Sequence, residues 1–224
     1  LLLIPFIGFG QVSTFPWIHD FENAVGLEQD QNDDGDWWLM QGPTSSFNTG
    51  PSGDHTTGSG IYYYVESSNP NYPNKIFTSY TPVFDVSATP GKVLSFWYHM
   101  YGDAMGDLEI AVGDYSIPGT GYTVLNTISG NQGDQWFFAY YPIPPNVVDS
   151  FRIIFKATTG TLYTSDICID DIMVSDPFNV VFGCMDSTAT NYDPNATHTN
   201  DSCTYPPCGG FINSNAYQMC WGGQ

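Results

Sequence analysis

Residues 92–101 read KVLSFWYHMY, and their side chains form two sets that alternate along the chain. Successive side chains of a β-strand point to opposite faces, so this period of two predicts a strand. One face carries the core candidates Leu94, Phe96, Tyr98 and Met100. The other face carries Val93, Ser95, Trp97 and His99.

The same alternation recurs at residues 61–66, 107–112 and 150–157, while residues 166–174 are apolar on parts of both faces, as in a central strand. The chain also has 23 Gly and 16 Pro, which are the residues of tight turns. No long segment shows the 3.6-residue apolar period of an amphipathic helix. Short strands separated by turns predict an all-β sandwich or barrel.

The charge balance excludes some partners. The chain has 23 acidic residues, four Lys or Arg and a formal net charge of −19. Nucleic acids and anionic membranes are excluded as partners because phosphate contacts need Lys and Arg. Repulsion between the acids destabilises a compact state. Bound cations would relieve it, and the simpler alternative is that the acids serve solubility.

Both ends of the chain indicate an exported protein. Residues 1–11 are interpreted as a signal-peptide remnant because an apolar, uncharged run is followed by polar residues. No later segment is long enough to span a membrane. Four of the five cysteines cluster near the other end, and such clustering in an exported chain predicts disulfides. The fifth, Cys168, lies in an apolar run and is expected to be a buried, inert thiol.

The composition changes after the last predicted strand, which divides the chain into segments. We predict one domain over residues 15–176 and a small cysteine-bounded module over residues 183–205. Residues 206–224 are unassigned and are interpreted as the start of a further segment. Within the large domain, Gly and Pro dominate residues 41–60 and 113–121, which are predicted to be loops of the kind that carry function in a β-sandwich.

Five segments of the large domain resemble, in order, the MAM family, named for meprin, the A5 antigen and a receptor tyrosine phosphatase. They are DFE at 20–22, DDGDW at 33–37, the GP, DHT and GSG groups within 50–60, SFWYHMYG at 95–102, and IDDI at 169–172. The resemblance implies an antiparallel jelly-roll β-sandwich. It further implies a non-catalytic extracellular module for adhesion or recognition.

Residues 183–203 (GCMDSTATNYDPNATHTNDSC) resemble a short repeat of secreted proteins from marine Bacteroidetes, with a cysteine at each end. The resemblance implies that Cys184 pairs with Cys203, leaving Cys208 to pair with Cys220. It also implies a larger, secreted or surface-displayed bacterial protein.

The main chemical expectation is a structural calcium ion. Calcium binds clustered carboxylate and carbonyl oxygens. The family resemblance implies a cation site where the opening segment, the acidic loop and the DHT loop converge, and the candidate ligands are Glu22, Asp34, Asp36, Asp54 and Asp171. The alternative is that these acids are turn residues. A weaker second loop, containing Asp193, Asn195, Thr197 and Asp201, is better interpreted as Asx-turns.

Catalysis is not expected, because the sequence has no nucleophile elbow, zinc motif or phosphate loop. Asp170 and Asp171 are expected on opposite faces of a strand, where they cannot act as a carboxylate pair. The partner is expected to be an extracellular protein or glycan, with self-association possible. The alternatives are an accessory module of a secreted hydrolase or protease, or a carbohydrate-binding jelly roll. The sugar-stacking candidates for the latter are Trp37, Trp38, Tyr62, Tyr64, Tyr140 and Tyr141.

Overall fold

A computed structural model describes residues 11–114, 121–177, 181–199 and 203–205 of the chain. The chain divides into two units, Leu1–Pro177 and Phe178–Gln224. The leader interpretation of residues 1–11 falls almost wholly outside the described residues, as do residues 206–224 with Cys208 and Cys220. In the part of the chain that is described, no helix is long and apolar enough to cross a membrane.

The first unit contains two antiparallel sheets. The first sheet has the order β10-β7-β12-β4-β3, with β1 paired to β12 beyond the end of β4. Its strands in chain order are β1 (Trp17–His19), β3 (Trp38–Gln41), β4 (Ile61–Val65), β7 (Val93–Met100), β10 (Phe137–Pro142) and β12 (Ile167–Ser175). The predicted central position of residues 166–174 is confirmed, because β12 pairs with β7 on one side and with β4 and β1 on the other.

The second sheet has the order β2-β5-β11-β8-β9, with β6 paired to β11. Its strands are β2 (Glu28–Gln29), β5 (Ile76–Tyr80), β6 (Phe84–Asp85), β8 (Asp107–Asp114), β9 (Tyr122–Ser129) and β11 (Ser150–Thr158). The predicted all-β sandwich is confirmed. Two of the edge strands, β9 and β10, are consecutive in the chain and lie in different sheets.

One hydrophobic core fills the space between the sheets, and the period-two patterns of the sequence supply it. From β7 it takes Leu94, Phe96 and Met100, with Tyr98 packed at its border. The rings of Phe96 and Phe155 meet edge to face across the sheets, with centroids 5.1 Å apart and planes at 81°. Such a pair contributes about 0.5–1.5 kcal/mol beyond the burial of its area.

The second unit is held by a disulfide. Cys184 and Cys203 are bonded, as predicted, with their Cα atoms 4.9 Å apart. Two short strands pair in parallel. The first, β13 (Phe182–Gly183), directly precedes Cys184, and the second, β14 (His198–Thr199), lies between the two cysteines in the chain. The predicted Asx-turn is present, because the Asp193 carboxylate accepts a hydrogen bond from the Asn195 amide at 2.9 Å. A short covalent loop and local turns therefore take the place of a large core.

We expect Cys203→Ser to unfold the second unit and leave the sandwich intact. The disulfide closes a loop with a sequence separation of 19, which corresponds to roughly 3 kcal/mol of stabilisation. Hydrogen exchange read residue by residue checks this: the amides of Asp193 and Thr197, which bond to Cys184 and Val181 carbonyls, should lose protection. Cys168→Ala is the matched control, because this thiol is unpaired and buried in the first unit. Protected amides in the second unit of the Cys203 variant would contradict the expectation.

Candidate functional site

The central strand β12 carries a β-bulge at its acidic pair. Asp170 is paired with Trp97 and Met173 with Ser95, so two residues of β12 oppose one residue of β7. Asp171 has φ +48°, the left-handed conformation that Asp tolerates better than most residues. The bulge changes which residues face the core. Before it the core residues are Ile167 and Ile169, and after it they are Ile172 and Val174.

The two carboxylates of the bulge bind the same loop residue. The His55 backbone amide donates to Asp170 Oδ2 at 3.0 Å. The His55 Nδ1 atom lies 2.7 Å from Asp171 Oδ2, and that same oxygen accepts a hydrogen bond from the Thr56 hydroxyl. The prediction that Asp170 and Asp171 point to opposite faces is therefore wrong, because the bulge interrupts the strict alternation on which it rested.

Aromatic contacts fix the same loop on the outer face of the first sheet, the face turned away from the core. The His55 ring stacks on Trp97 with centroids 3.7 Å apart and planes at 16°. Trp136 approaches the His55 ring edge-on, and its indole Nε1 donates to the Gly53 carbonyl at 3.1 Å. The DHT segment is thus held by the carboxylates of Asp170 and Asp171 and by the indole rings of Trp97 and Trp136.

Two further acids meet where this loop enters β4. Asp54 accepts hydrogen bonds from the backbone amides of Thr57 and Gly60. Glu22 Oε1 accepts from the Ile61 amide at 2.8 Å. A Cβ atom on Gly60 would lie 2.0 Å from Glu22 Oε1 and 3.0 Å from Asp54 Cγ, so glycine is required for the two carboxylates to approach here.

Glu22, Asp54, Asp170 and Asp171 form an acidic cluster, and two of its members have pKa values shifted in opposite directions. Burial, followed by the charges of Asp171 and then Asp54, raises the pKa of Asp170 to about 8. Burial also acts to raise the pKa of Asp54, but the hydrogen bonds from Thr57 and Gly60 outweigh it and the pKa is lowered. Asp54 is therefore held as a carboxylate, while burial favours the protonated form of Asp170.

Three of the five predicted calcium ligands belong to this cluster, and two do not. Asp34 accepts from Lys75 Nζ at 2.8 Å and from the Ile76 amide at 2.9 Å, at the start of β5 in the opposite sheet. Asp36 is exposed. Asp170, which was outside the predicted set, is the most buried acid of the cluster at 1% exposure. Among the described residues, no group of three or more His, Cys, Asp or Glu side chains is placed to hold a metal ion.

The contacts of His55 fit a structural clamp better than a nucleophilic centre. In a hydrolase triad the histidine touches the hydroxyl and the carboxylate orients the histidine from its other side. Here the Asp171 carboxylate lies between His55 and Thr56 and binds both. The arrangement ties the loop to the bulge.

Most aromatic rings proposed for sugar stacking are not accessible. Trp37, Tyr62 and Tyr64 are buried, so a stacking role for these three is wrong. Tyr62 packs edge-on against Trp136, because the loop before β4 and the segment before β10 cover this face. Trp38 is 59% exposed at the sheet edge, while Tyr140 and Tyr141 are half-buried on the edge strand β10.

His99 and Asp166 are buried on the same face. His99 is 1% exposed, as expected for a packed histidine, and its Nε2 lies 3.2 Å from Asp134 Oδ1. Asp166 is fully buried, and one of its oxygens accepts from the Ser67 amide at 2.9 Å. Burial raises the pKa of Asp166 to about 6. Both groups hold surrounding loops in place rather than facing solvent.

The fold and this site define an antiparallel β-sandwich domain whose acids and aromatic rings organise a loop on one outer face. Residues 19–178 match the family described as MAM domain, meprin/A5/mu. The chain belongs to the MAM domain family. The sequence-based recognition of the family is thereby confirmed.

Individual relatives place this domain within longer chains. MAM domain-containing glycosylphosphatidylinositol anchor protein 1 of Gallus gallus is 36% identical over 156 residues, or 67% of this chain and 16% of that protein. Thyroid hormone-induced protein B of Xenopus laevis is 36% identical over 156 residues, or 68% of this chain and 21% of that protein. The chain therefore spans about a fifth or less of the length of these relatives. Both are animal proteins, and the bacterial source stays a prediction.

One solved structure supports the fold. The K1 cleaved adhesin domain of Lys-gingipain from Porphyromonas gingivalis W83 has a TM-score of 0.51 and 16% identity to this chain. The match covers 73% of this chain and 99% of that one. At this identity the likeness concerns the fold alone.

We expect the contribution of Asp166 to the stability of the sandwich to fall as pH rises from about 4 to about 6. Its pKa is raised from 3.8 to about 6 in the folded state, so the folded chain retains a proton that the unfolded chain releases. The loss corresponds to roughly 3 kcal/mol, from about 1.4 kcal/mol per pKa unit. Denaturant unfolding of the wild type and Asp166→Asn across this range checks it. The stability difference between the two should change with pH, and a constant difference would contradict the expectation.

Proposed function

We propose that this chain is a non-catalytic adhesion or recognition module of a larger secreted or surface-displayed bacterial protein. The observation that carries the proposal is membership of the MAM family over residues 19–178, together with relatives in which the matching part is a minor share of the chain. The disulfide of the second unit suits an oxidising, extracellular compartment. The bacterial assignment rests on the likeness of residues 183–203 to a repeat of secreted Bacteroidetes proteins.

The outer-face loop supports recognition rather than turnover. Its backbone is fixed by Asp170, Asp54 and the two indole rings, so it presents one defined surface to a partner. A surface held in its binding conformation loses little conformational entropy on association. Rigid loops on a β-sandwich are a common site of partner binding.

The proposal predicts saturable binding without chemical change in the partner. The 224-residue chain, immobilised on beads, should retain an extracellular protein or glycan and release it unaltered in mass. Bead clustering in the absence of any other protein would identify a second copy of the chain as the partner, which is also recognition. Release of a cleaved or chemically modified partner would contradict the proposal, because it requires a reaction centre.

We also propose that calcium stabilises the acidic cluster. The chain has four Lys and Arg residues, and each pairs with an acid outside the cluster: Lys75 with Asp34, Lys92 with Asp176, Arg152 with Glu28 and Lys156 with Glu109. The buried carboxylate of Asp170 therefore has no Lys or Arg to offset its neighbours. Buried charges are paired, protonated or bound to metal, and the raised pKa of Asp170 fits a site that a cation would complete.

The residues proposed to hold the ion are Glu22, Asp54, Asp170 and Asp171, whose side chains would have to draw closer together, because among the described residues no such group is already placed to hold a metal. Calcium would supply positive charge to their carboxylate oxygens, for which it has a strong preference. Backbone amides already orient three of these carboxylates, since Ile61 donates to Glu22, Gly60 to Asp54 and His55 to Asp170. A cation here would join the opening segment, the loop and β12.

Calcium removal should lower the melting temperature of the first unit. A ligand that binds only the folded state stabilises it by about 2.7 kcal/mol at a hundredfold excess over Kd. Calorimetry with calcium and with a chelator at matched sodium ionic strength checks this. Asp54→Ala and Asp170→Asn should lose the calcium response. Asp34→Asn, an acid paired with Lys75 outside the cluster, should keep it. Identical melting curves with calcium and chelator would show that the acids bind no stabilising ion.

A further inference from the structure

A polar groove lies along the open side of the sandwich, between the edge strands β9 and β10. It has a volume of about 480 Å³, and residues of both strands, together with Tyr98 and Gln132, line it. This size lies within the range of about 300–1,000 Å³ typical of small-ligand sites. The groove shares no residue with the acidic cluster on the outer face.

The two walls of the groove come from different sheets. Asn126 of β9 donates from Nδ2 to the Tyr141 hydroxyl of β10 at 2.9 Å, which bridges the sheets. Tyr98 stacks on Phe137, with centroids 5.7 Å apart and planes at 24°, so its ring is held in one orientation. Gln132 is held at the end of the groove, where its Nε2 donates to the Ser129 carbonyl at 2.9 Å. The groups in the groove are therefore preorganised.

The chemistry of this lining differs from the rest of the chain. In a protein with a net charge of −19, none of the residues that line the groove is Asp, Glu, Lys, Arg or His. They supply tyrosine rings, phenol and aliphatic hydroxyls and side-chain amides instead. Burial, and then the nearby Tyr141, raise the pKa of Tyr98, so its hydroxyl stays protonated at neutral pH.

We propose that this groove binds a neutral oligosaccharide. Sugar rings present apolar faces that pack on aromatic side chains and hydroxyls that exchange hydrogen bonds with amides and phenols. A neutral ligand avoids the repulsion that an acidic one would meet on this chain, and it needs no ion pair, which the groove does not offer. The inference names the partner class of the recognition module proposed above and rests on that proposal.

An extended peptide is the competing occupant. β9 is an edge strand in the described part of the sheet, and its side chains are mostly exposed. A peptide could pair with its backbone as an added strand. Such pairing would use main-chain groups along β9, however, and would leave the tyrosines and amides of the groove without a role. The amide-to-phenol bridge between the sheets favours the oligosaccharide.

The test is binding of neutral oligosaccharides to the 224-residue chain. A panel of glucans, galactans, mannans and xylans is measured by calorimetry, alongside sulfated and uronic-acid oligosaccharides and unstructured peptides. We expect binding of at least one neutral member and none of the acidic ones. Asn126→Ala and Tyr140→Ala should each weaken that binding by roughly tenfold, which is the effect of about 1.4 kcal/mol. Both residues are at least partly exposed, which favours retention of the fold.

Tyr122→Ala is the matched control. Tyr122 lies on the same strand β9, is 49% exposed and does not line the groove, so its removal should leave binding unchanged. Unchanged melting temperatures show that the groove variants fold. Peptide binding that survives Asn126→Ala and Tyr140→Ala, or the absence of any neutral ligand, would overturn the inference. Retention of a protein partner in the bead experiment described above would leave the recognition function standing, so the two failures are distinguishable.

Discussion

The bulge in β12 is the constraint on which the rest of the sandwich depends. A regular strand that buries Ile167 and Ile169 would also point Asp171 into the core, because side chains alternate strictly. An unpaired carboxylate there would cost several kcal/mol. The bulge resets the alternation, so that Ile172 and Val174 fill the core and Asp171 remains at the surface. A one-residue shift of backbone register thus reconciles a continuous core with an acidic pair.

The same bulge explains how the outer-face loop is held. It brings two carboxylates to one side of β12, where they bind the amide and the ring of His55. Trp97, the β7 partner of Asp170, supplies the ring on which His55 stacks. The chain has only four Lys and Arg, and all four pair elsewhere, so no Lys or Arg pairs with this acidic cluster, whose basic contact is His55. The bulge therefore accounts for the order of the loop, and the scarcity of Lys and Arg accounts for the imbalance of charge.

The sequence predicted what depends on local periodicity and missed what depends on interrupting it. The alternation in residues 92–101 correctly assigned Leu94, Phe96 and Met100 to the core, since a strand with one buried face has little freedom of register. It gave the wrong orientation for Asp170 and Asp171, because the positive φ of Asp171 leaves no pattern in the sequence. Family resemblance brought Glu22 and Asp54 together but also included Asp34. Its pairing with Lys75 is a contact between segments distant in the chain, which spacing does not reveal. The burial of Trp37, Tyr62 and Tyr64 was hidden for a similar reason, because tertiary packing decides it.

Charge separates the two candidate surfaces of this domain. The outer face concentrates carboxylates around a fixed loop, whereas the lining of the groove between β9 and β10 contains no Asp, Glu, Lys, Arg or His. At a net charge of −19, long-range attraction can steer only cationic partners, and salt would screen it. A neutral groove is insensitive to that field, because its contacts are short-range packing and hydrogen bonds. The acids can therefore serve cation binding and solubility without determining which neutral ligand the groove accepts. The two surfaces also sit on different strands, since the cluster is built on β12 and the loop before β4, and the groove on β9 and β10. A change in one surface can therefore leave the other intact.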